Sequence, residues 1–154
     1  MSITYRKATI KDTDVLYKLG VELNSFYLES SSKKESLFWE GWEKDFETEI
    51  AEELSNPSKY IYLAEDADKN PVGYIIAILC KHCQRFEIDQ LYVKDGYRGL
   101  KVGKSLLDLV IAAGKSDFEY IHLEVYKNNT KAIEFYKKYG FEDEGIVMRK
   151  QLGV

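Results

Sequence analysis

The sequence predicts a mixed α+β (α/β) fold, a mostly antiparallel central sheet of about six or seven strands flanked by about four helices. Three observations predict it. Two amphipathic stretches fill the first third of the chain. Apolar runs bounded by short turn signals follow from Tyr60 to Val93. A β-α-β-α pattern then runs from Arg85 to Tyr139. Strands joined by short turns pair antiparallel, whereas strands separated by helices do not, so the sheet is mixed with helices on both faces. The order reads β-α-α-β-β-β-α-β-α-β, with room for one more strand.

Ile3 to Lys7 alternates as a half-buried strand. Thr9-Ile10-Lys11-Asp12 has capping-box spacing, Thr9 accepting from the first turn and Asp12 reaching back. A helix follows, with Val15, Leu16, Leu19, Leu23, Phe26 and Tyr27 on one stripe, ending near Ser30–Ser32. A second runs from about Lys34 to Leu54, with Phe38, Trp42, Phe46, Ile50 and Leu54 spaced by four, and Asn56-Pro57 stops it. Tyr60–Ala64 is a strand and Asp68-Lys69-Asn70-Pro71 a turn. Val72–Cys80, Lys81–Gln84 and Arg85–Val93 form a hairpin. The loop Gly96–Gly103 opens a helix carrying Val102, Leu106, Leu107, Val110 and Ala113. Tyr120–Tyr126 is a strand and Asn129–Tyr139 a helix closed by Gly140 at C′. Phe141–Leu152 supplies one or two final strands.

At 154 residues, with no linker, repeat or low-complexity segment, the chain reads as a single domain over 1–154. With 14% aromatic residues it is too rich for a disordered tail. Its 22 basic and 26 acidic residues give a net charge of −4, a poor match to a nucleic-acid partner. No apolar run approaches the roughly 18 residues of a membrane span, so no membrane association is expected. Met1–Lys7 alternates and then turns polar, unlike a signal peptide, so the expected location is cytoplasmic and Cys80 and Cys83 are expected as reduced thiols. Cys80-x-x-Cys83 has the spacing of a metal or redox pair. It brackets a hairpin turn, and His82 and His122 are the chain's two histidines, so a buried Cys80, a semi-exposed Cys83 and no metal are expected. The charge is uneven. Nine acids against Lys33, Lys34 and Lys44 occupy Glu29 to Glu53, while Lys94, Arg98, Lys101 and Lys104 face Asp95 alone over the next loop.

That loop is built for an anion. A strand ends, glycines follow, and a helix begins with unpaired N–H groups and the positive end of its dipole. Gly99 and Gly103 allow close backbone approach, and Arg98, Lys101 and Lys104 add charge. Gly99-x-x-x-Gly103-Lys104-Ser105 approximates a Walker A loop, but it is one residue short and no metal-binding Asp strand follows. A G-x-G-x-x-G dinucleotide fingerprint is absent.

Together with Asn129-x-x-Ala132-x-x-Phe135-Tyr136-x-Lys138-x-Gly140-Phe141, the segment Arg98-Gly99-Leu100-Lys101-Val102-Gly103 resembles the GCN5-related N-acetyltransferase (GNAT) family. The family's Q/R-x-x-G-x-G/A motif is matched at Arg98 and Gly103, with Lys101 where the first glycine usually stands. The resemblance implies that acetyl-CoA is the acetyl donor, with its pyrophosphate on the loop amides around Arg98, Gly99, Lys101, Val102, Gly103, Lys104 and Ser105. It implies that the pantetheine arm pairs with the strand at Leu91 and Val93, where a bulge commonly turns an N–H toward the thioester carbonyl. Asn129, Ala132, Phe135, Tyr136 and Lys138 of the last helix belong to the same cofactor motif. Tyr136 is the implied acid for the leaving thiolate. Glu87 and Glu124, ahead of Asp89, are the candidate bases that deprotonate the acceptor ammonium. No metal is implied. The acceptor is a small-molecule or peptide amine, with a cationic bias if the acidic helix rims its site. A homodimer is compatible with this reading. A non-catalytic acyl-CoA sensor on the same fold is the alternative.

Overall fold

A computed structural model of the chain describes residues 2–30, 42–148 and 150. Its elements are β1 (Thr4–Lys7), a 3-10 turn (Ile10–Asp12), α1 (Thr13–Ser30), α2 (Trp42–Ser55), β2 (Lys59–Glu65), β3 (Pro71–Cys80), β4 (Arg85–Val93), a second 3-10 turn (Asp95–Tyr97), α3 (Val102–Gly114), β5 (His122–Leu123) and α4 (Thr130–Lys138). The chain divides into two compact units, 1–124 and 125–154. In the first, five strands pair in the order β1-β2-β3-β4-β5, antiparallel except for β4 with β5. Among the described residues that is the predicted mixed, mostly antiparallel sheet, with five strands where six or seven were expected; α1, α2 and α3 belong to this unit and α4 to the second.

The centre of the sheet is β3, buried from Val72 to Ala77. Tyr74 and Ile76 join a cluster of Leu16, Leu19 and Leu23 from α1, Phe46 and Ile50 from α2, and Ile61 and Leu63 from β2. Alternation turns Ile75, 0% exposed, to the opposite face, where α3 buries Val102, Leu106, Leu107 and Val110. Close packing is visible at Gly20, where a Cβ would stand 2.3 Å from the Phe46 ring. The predicted stripes therefore hold, with Phe26 half-exposed and not in the core. The proposed Phe38 position, the start of the second helix and the acids between residues 31 and 41 lie outside the described residues. Asp45, Glu47, Glu49 and Glu52 are exposed on α2, away from the Phe46–Ile50 stripe as expected.

Two corrections concern strands. Tyr120–Tyr126 narrows to His122–Leu123, because β4 bulges immediately after the Ile88–Leu123 pair and pairing stops there. The final strands expected over Phe141–Leu152 do not form within 141–148, where Ile146, Val147 and Met148 are exposed; residues 149 and 151–154 lie outside the described residues. A third correction concerns the cysteines. The hairpin turn brings the Cα atoms of Cys80 and Cys83 to 5.2 Å, within disulfide range, and the two are bonded where free thiols were expected. Among the described residues no helix is long and apolar enough to cross a membrane.

The first strand is fastened by charge. Arg6 donates to both oxygens of Asp12 (2.7 and 2.9 Å) and to Oε1 of Glu65 (2.9 Å), joining β1, the turn before α1 and the end of β2. Asp12 also accepts from the Thr9 N–H (2.8 Å), as the capping spacing predicts, and from the Thr9 hydroxyl (3.1 Å). The Arg6 bonds, helped by Thr9 and opposed by burial, lower the Asp12 pKa from 3.8 to about 2. A carboxylate with a lowered folded-state pKa stabilises fully above its unfolded value and ceases to do so as pH falls through the folded one. Asp12→Asn should therefore cost about 1.5–3 kcal/mol at neutral pH. Urea titrations of both proteins should show the gap closing as pH falls from 3.8 toward about 2; a pH-independent gap would separate the effect from ionisation.

Candidate active site

The site is organised by an extra residue in β4. On β3, Ile76 faces Gln90 and Ala77 faces Ile88, leaving Asp89 as the bulged residue. Without it, Phe86, Ile88, Gln90 and Tyr92 would share one face. With it, Phe86 packs on the α3 side, where a Cβ on Gly114 would lie 2.5 Å from its ring. Beyond it, the Tyr74 hydroxyl donates to Gln90 (2.5 Å) and the Tyr92 hydroxyl donates to Glu22 of α1 (3.0 Å). The bulge thus reverses the strand's inside and outside. Leu91 and Val93, the predicted arm-binding positions, lie past it, opposite Ile75 and Gly73, and β5 no longer pairs with β4 there.

The chain then turns sharply. Lys94 donates its N–H to the Val72 carbonyl (2.9 Å), Tyr97 donates to Lys94 (2.9 Å), and Arg98 donates to Asp95 (3.2 Å). The Tyr97 hydroxyl reaches Asp66 (2.9 Å), whose carboxylate also accepts from Asp68 and Asn70 in the β2–β3 turn. Those bonds, the Asn70 ones foremost, hold the Asp66 pKa below the usual carboxylate range and tie the loop to its neighbour. Gly99 and Lys101 both have positive φ, 80° and 63°. Lys101 is the N-cap of α3, with no side-chain cap, so the first turn presents its N–H groups outward. The Ser105 N–H closes the first helical bond, to Lys101 (3.0 Å), and Ser105 lines a shallow depression with Tyr5, Asp108, Leu109 and Ala112. The Val102 side chain is in the core, leaving its backbone for any ligand; Gly103 is half-buried beside it.

The predicted basic residues differ in what they do. Arg98 folds back: its Nε donates to the Val93 carbonyl (2.8 Å), a terminal nitrogen pairs with Asp95, and the guanidinium lies 5.5 and 5.8 Å from the Phe26 and Tyr92 ring centres. Lys104 pairs with Asp108 (2.9 Å). Lys101 is exposed and forms no ion pair among the described residues.

The three carboxylates also separate. Glu87 sits on the paired part of β4, opposite His122, and accepts from Arg85 (2.6 Å). Glu124 is exposed just past β5. Asp89, on the bulge, accepts from Lys59 (2.9 Å), which also bonds Glu53 of α2 (3.0 Å). Burial raises the Glu53 pKa against the pull of Lys59. Glu22, Tyr92, Phe26 and the Glu53–Lys59 pair were missed by sequence reading. A signal existed for two of them, since Glu22 and Phe26 stand four apart on α1. Burial and the Glu22 hydrogen bond push Tyr92 up to about 12, so its phenol remains a donor at physiological pH.

Asn129 caps α4, its Oδ1 accepting from the Ala132 N–H (3.3 Å), and Gly140 closes the helix at φ 96° as predicted. Tyr136 packs edge-on against Phe135 and Phe141, with ring centres 5.1 and 5.4 Å away. Lys138 is exposed.

Residues 22–141 match the model of the Acetyltransferase (GNAT) family. A Dictyostelium discoideum protein described as an uncharacterized N-acetyltransferase is 41% identical over 56 residues; the match covers 36% of this chain and spans only 26% of that relative's length. A tetramutant of the BH1408 protein from Bacillus halodurans has a similar fold, with a TM-score of 0.81 at 19% identity over 97% of this chain and 99% of that one. AAC(6')-Iy, solved with the bisubstrate analog CoA-S-monomethyl-acetylneamine, gives 0.76 at 16% identity over 98% and 99% of the two chains. The PaiA N-acetyltransferase from Thermoplasma acidophilum, solved with coenzyme A, gives 0.74 at 24% identity over 94% and 92%. At these identities the three structures show a shared fold.

The loop geometry makes one prediction. A left-handed conformation costs a non-glycine residue about 1–2 kcal/mol, whereas glycine adopts it freely but loses more entropy on folding. Lys101→Gly should leave stability unchanged or raise it by up to about 1 kcal/mol, and β-branched Lys101→Val should lower it by more than about 1 kcal/mol. Chemical denaturation midpoints check both; equal losses in the two variants would show that the side chain matters and the backbone does not.

Proposed function

The chain belongs to the acetyltransferase (GNAT) family, and we propose that it transfers an acetyl group from acetyl-CoA to a primary amine by direct attack in a ternary complex. The observation that carries the proposal is the β4 segment 89–93: a bulge at Asp89, pairing with β5 that ends before it, and a tight loop with positive φ at Gly99 and Lys101 leading into an uncapped helix. The coenzyme A in the PaiA complex and the CoA portion of the analog bound to AAC(6')-Iy support the same donor here. In this reading the arm adds to β4 as an extra strand along Leu91 and Val93. The α3 amides receive the pyrophosphate, and Lys101 supplies charge to it. Because Arg98 is neutralised by Asp95, its contribution is to hold the loop in shape.

For the chemistry, the acceptor ammonium loses a proton to a base and the free amine attacks the thioester carbonyl. A backbone N–H at the bulge stabilises the developing oxyanion, and the departing thiolate takes a proton from an acid. We assign the base to Asp89, acting directly or through one water, because it stands where the open β4 edge begins, whereas Glu87 and Glu124 flank the paired segment. Lys59 and Glu53 position it. The motif supports Tyr136 as the acid, and the family match over residues 22–141 supports a single acetyltransferase domain over 1–154. No step needs a metal. The exposed acids of α2 support a cationic acceptor, small-molecule or peptide. The ion pairs Arg85–Glu87 and Lys59–Asp89 favour the second reading, a non-catalytic acyl-CoA sensor, because each commits its carboxylate to a neighbouring cation.

Acetyl-CoA at about 100 times its Kd should stabilise the protein by about 2.7 kcal/mol, seen as a raised melting temperature; no shift at millimolar cofactor would sink both readings. A panel of amines monitored by CoA release then separates enzyme from sensor. Against a working acceptor, Asp89→Asn should lower kcat/KM by about 10²–10⁴-fold near neutrality, with a smaller effect for Glu87→Gln. Tyr136→Phe should lower kcat with cofactor affinity unchanged, and an unaltered rate would remove Tyr136 from the mechanism.

A further inference from the structure

The turn between β3 and β4 gathers three soft or borderline ligands away from the bulge. The ligand atoms of Cys80, His82 and Cys83 all lie within 4.8 Å of one another. His82 Nε2 is 3.7 Å from the Cys80 sulfur and 3.4 Å from the Cys83 sulfur. A tetrahedral zinc ion with bonds of about 2.3 Å to sulfur and about 2.0 Å to nitrogen has S···N edges of about 3.5 Å and an S···S edge of about 3.8 Å. Two of the three edges are thus already near their metal-bound lengths, and the third is closed by the disulfide. The surroundings do not oppose a cation. Lys81 is paired with Asp117 (2.9 Å) and Arg85 with Glu87 (2.6 Å), while the Gln84 side chain holds the turn through the Lys81 carbonyl (2.6 Å). Cys80 is buried, anchoring one ligand, and His82 and Cys83 are exposed, so the fourth position opens to water.

We propose that this turn is a redox-gated binding site for a thiophilic divalent cation of the zinc class, with Cys80 Sγ, Cys83 Sγ and His82 Nε2 as ligands and water as the fourth. Two thiolates and an imidazole form a donor set that favours zinc over magnesium or calcium. The gate is thiol–disulfide exchange. A cellular dithiol gives two electrons and two protons to the Cys80–Cys83 bond, becomes a disulfide itself, and leaves two thiols. Metal binding then releases those two protons and changes no oxidation state. The oxidised turn cannot bind, because its sulfurs are committed to each other. The sequence by itself offers too few ligands for a fully protein-ligated zinc, which is why no metal is expected from it; three protein ligands and a water are enough. This inference is independent of the acetyl-transfer reading.

The test uses the full chain, reduced with a dithiol, freed of reductant without oxygen and titrated with Co²⁺ as a spectroscopic probe. A thiolate-to-cobalt charge-transfer band saturating at one equivalent, displaced by Zn²⁺ and absent from the oxidised protein, is expected. Removing a ligand should cost at least about tenfold in affinity, the lower end of what even outer-shell changes cost. His82→Ala should therefore weaken binding by that much or more, and Cys83→Ser should remove most of the band. Both positions are exposed, so in the reduced protein, where the disulfide is already open, the melting temperature should move little. If Cys83→Ser fails to fold, the oxidised–reduced comparison and His82→Ala still decide. No band in the reduced protein, or an affinity unchanged in His82→Ala, overturns the proposal.

Discussion

The constraint on which this structure depends is the burial of β3 on both faces. A strand covered on one side alone would alternate apolar and polar residues. Here Val72 to Ala77 is buried without a break, so helices must cover both surfaces. The α1–α2 pair takes one side and α3 the other. Their placement fixes where the chain can leave the sheet, because α3 must start close to the end of β4 and lie back across the strands. The loop between β4 and α3 inherits its position from that packing.

Within the loop, the groups that face outward are mostly backbone. Arg98, which gives the segment much of its basic character, is spent on an internal carbonyl, an acid and two aromatic rings, and Lys104 on an acid one turn along its helix. What remains to meet an anion is a set of oriented amides and one lysine. An arrangement of this kind recognises shape as well as charge, since amides fixed by two positive-φ residues cannot follow a ligand of the wrong geometry.

Much of this could be read from the sequence. The apolar spacing of α1 and α3, the Thr9–Asp12 box, the hairpin at residues 81–84 and the Asn129 and Gly140 boundaries of α4 are local signals that the three-dimensional structure repeats. What could not be read was non-local. Asp89 is ordinary in sequence, and its bulge exists because Ile76 and Ala77, thirteen and twelve residues earlier, set the register against it. The shortening of β5 follows from that bulge. The bond between Cys80 and Cys83 depends on the turn's curvature, and the binding of Lys59 between Glu53 and Asp89 needs three elements to meet. The residue types of the 94–104 loop mark it as a candidate anion site. They do not tell that the arginine in it turns inward.

The bulge at Asp89 also divides β4 into two stretches with different neighbours. Before it Phe86 packs on the α3 side; after it Gln90 and Tyr92 bond Tyr74 of β3 and Glu22 of α1, while Leu91 and Val93 stand on the other surface, opposite Ile75 and Gly73. Changes to the Gln90 and Tyr92 surface therefore need no compensation from α3. A lineage could reshape the α1 side while leaving the α3 scaffold untouched. One inserted residue makes the two surfaces of a single strand separately evolvable.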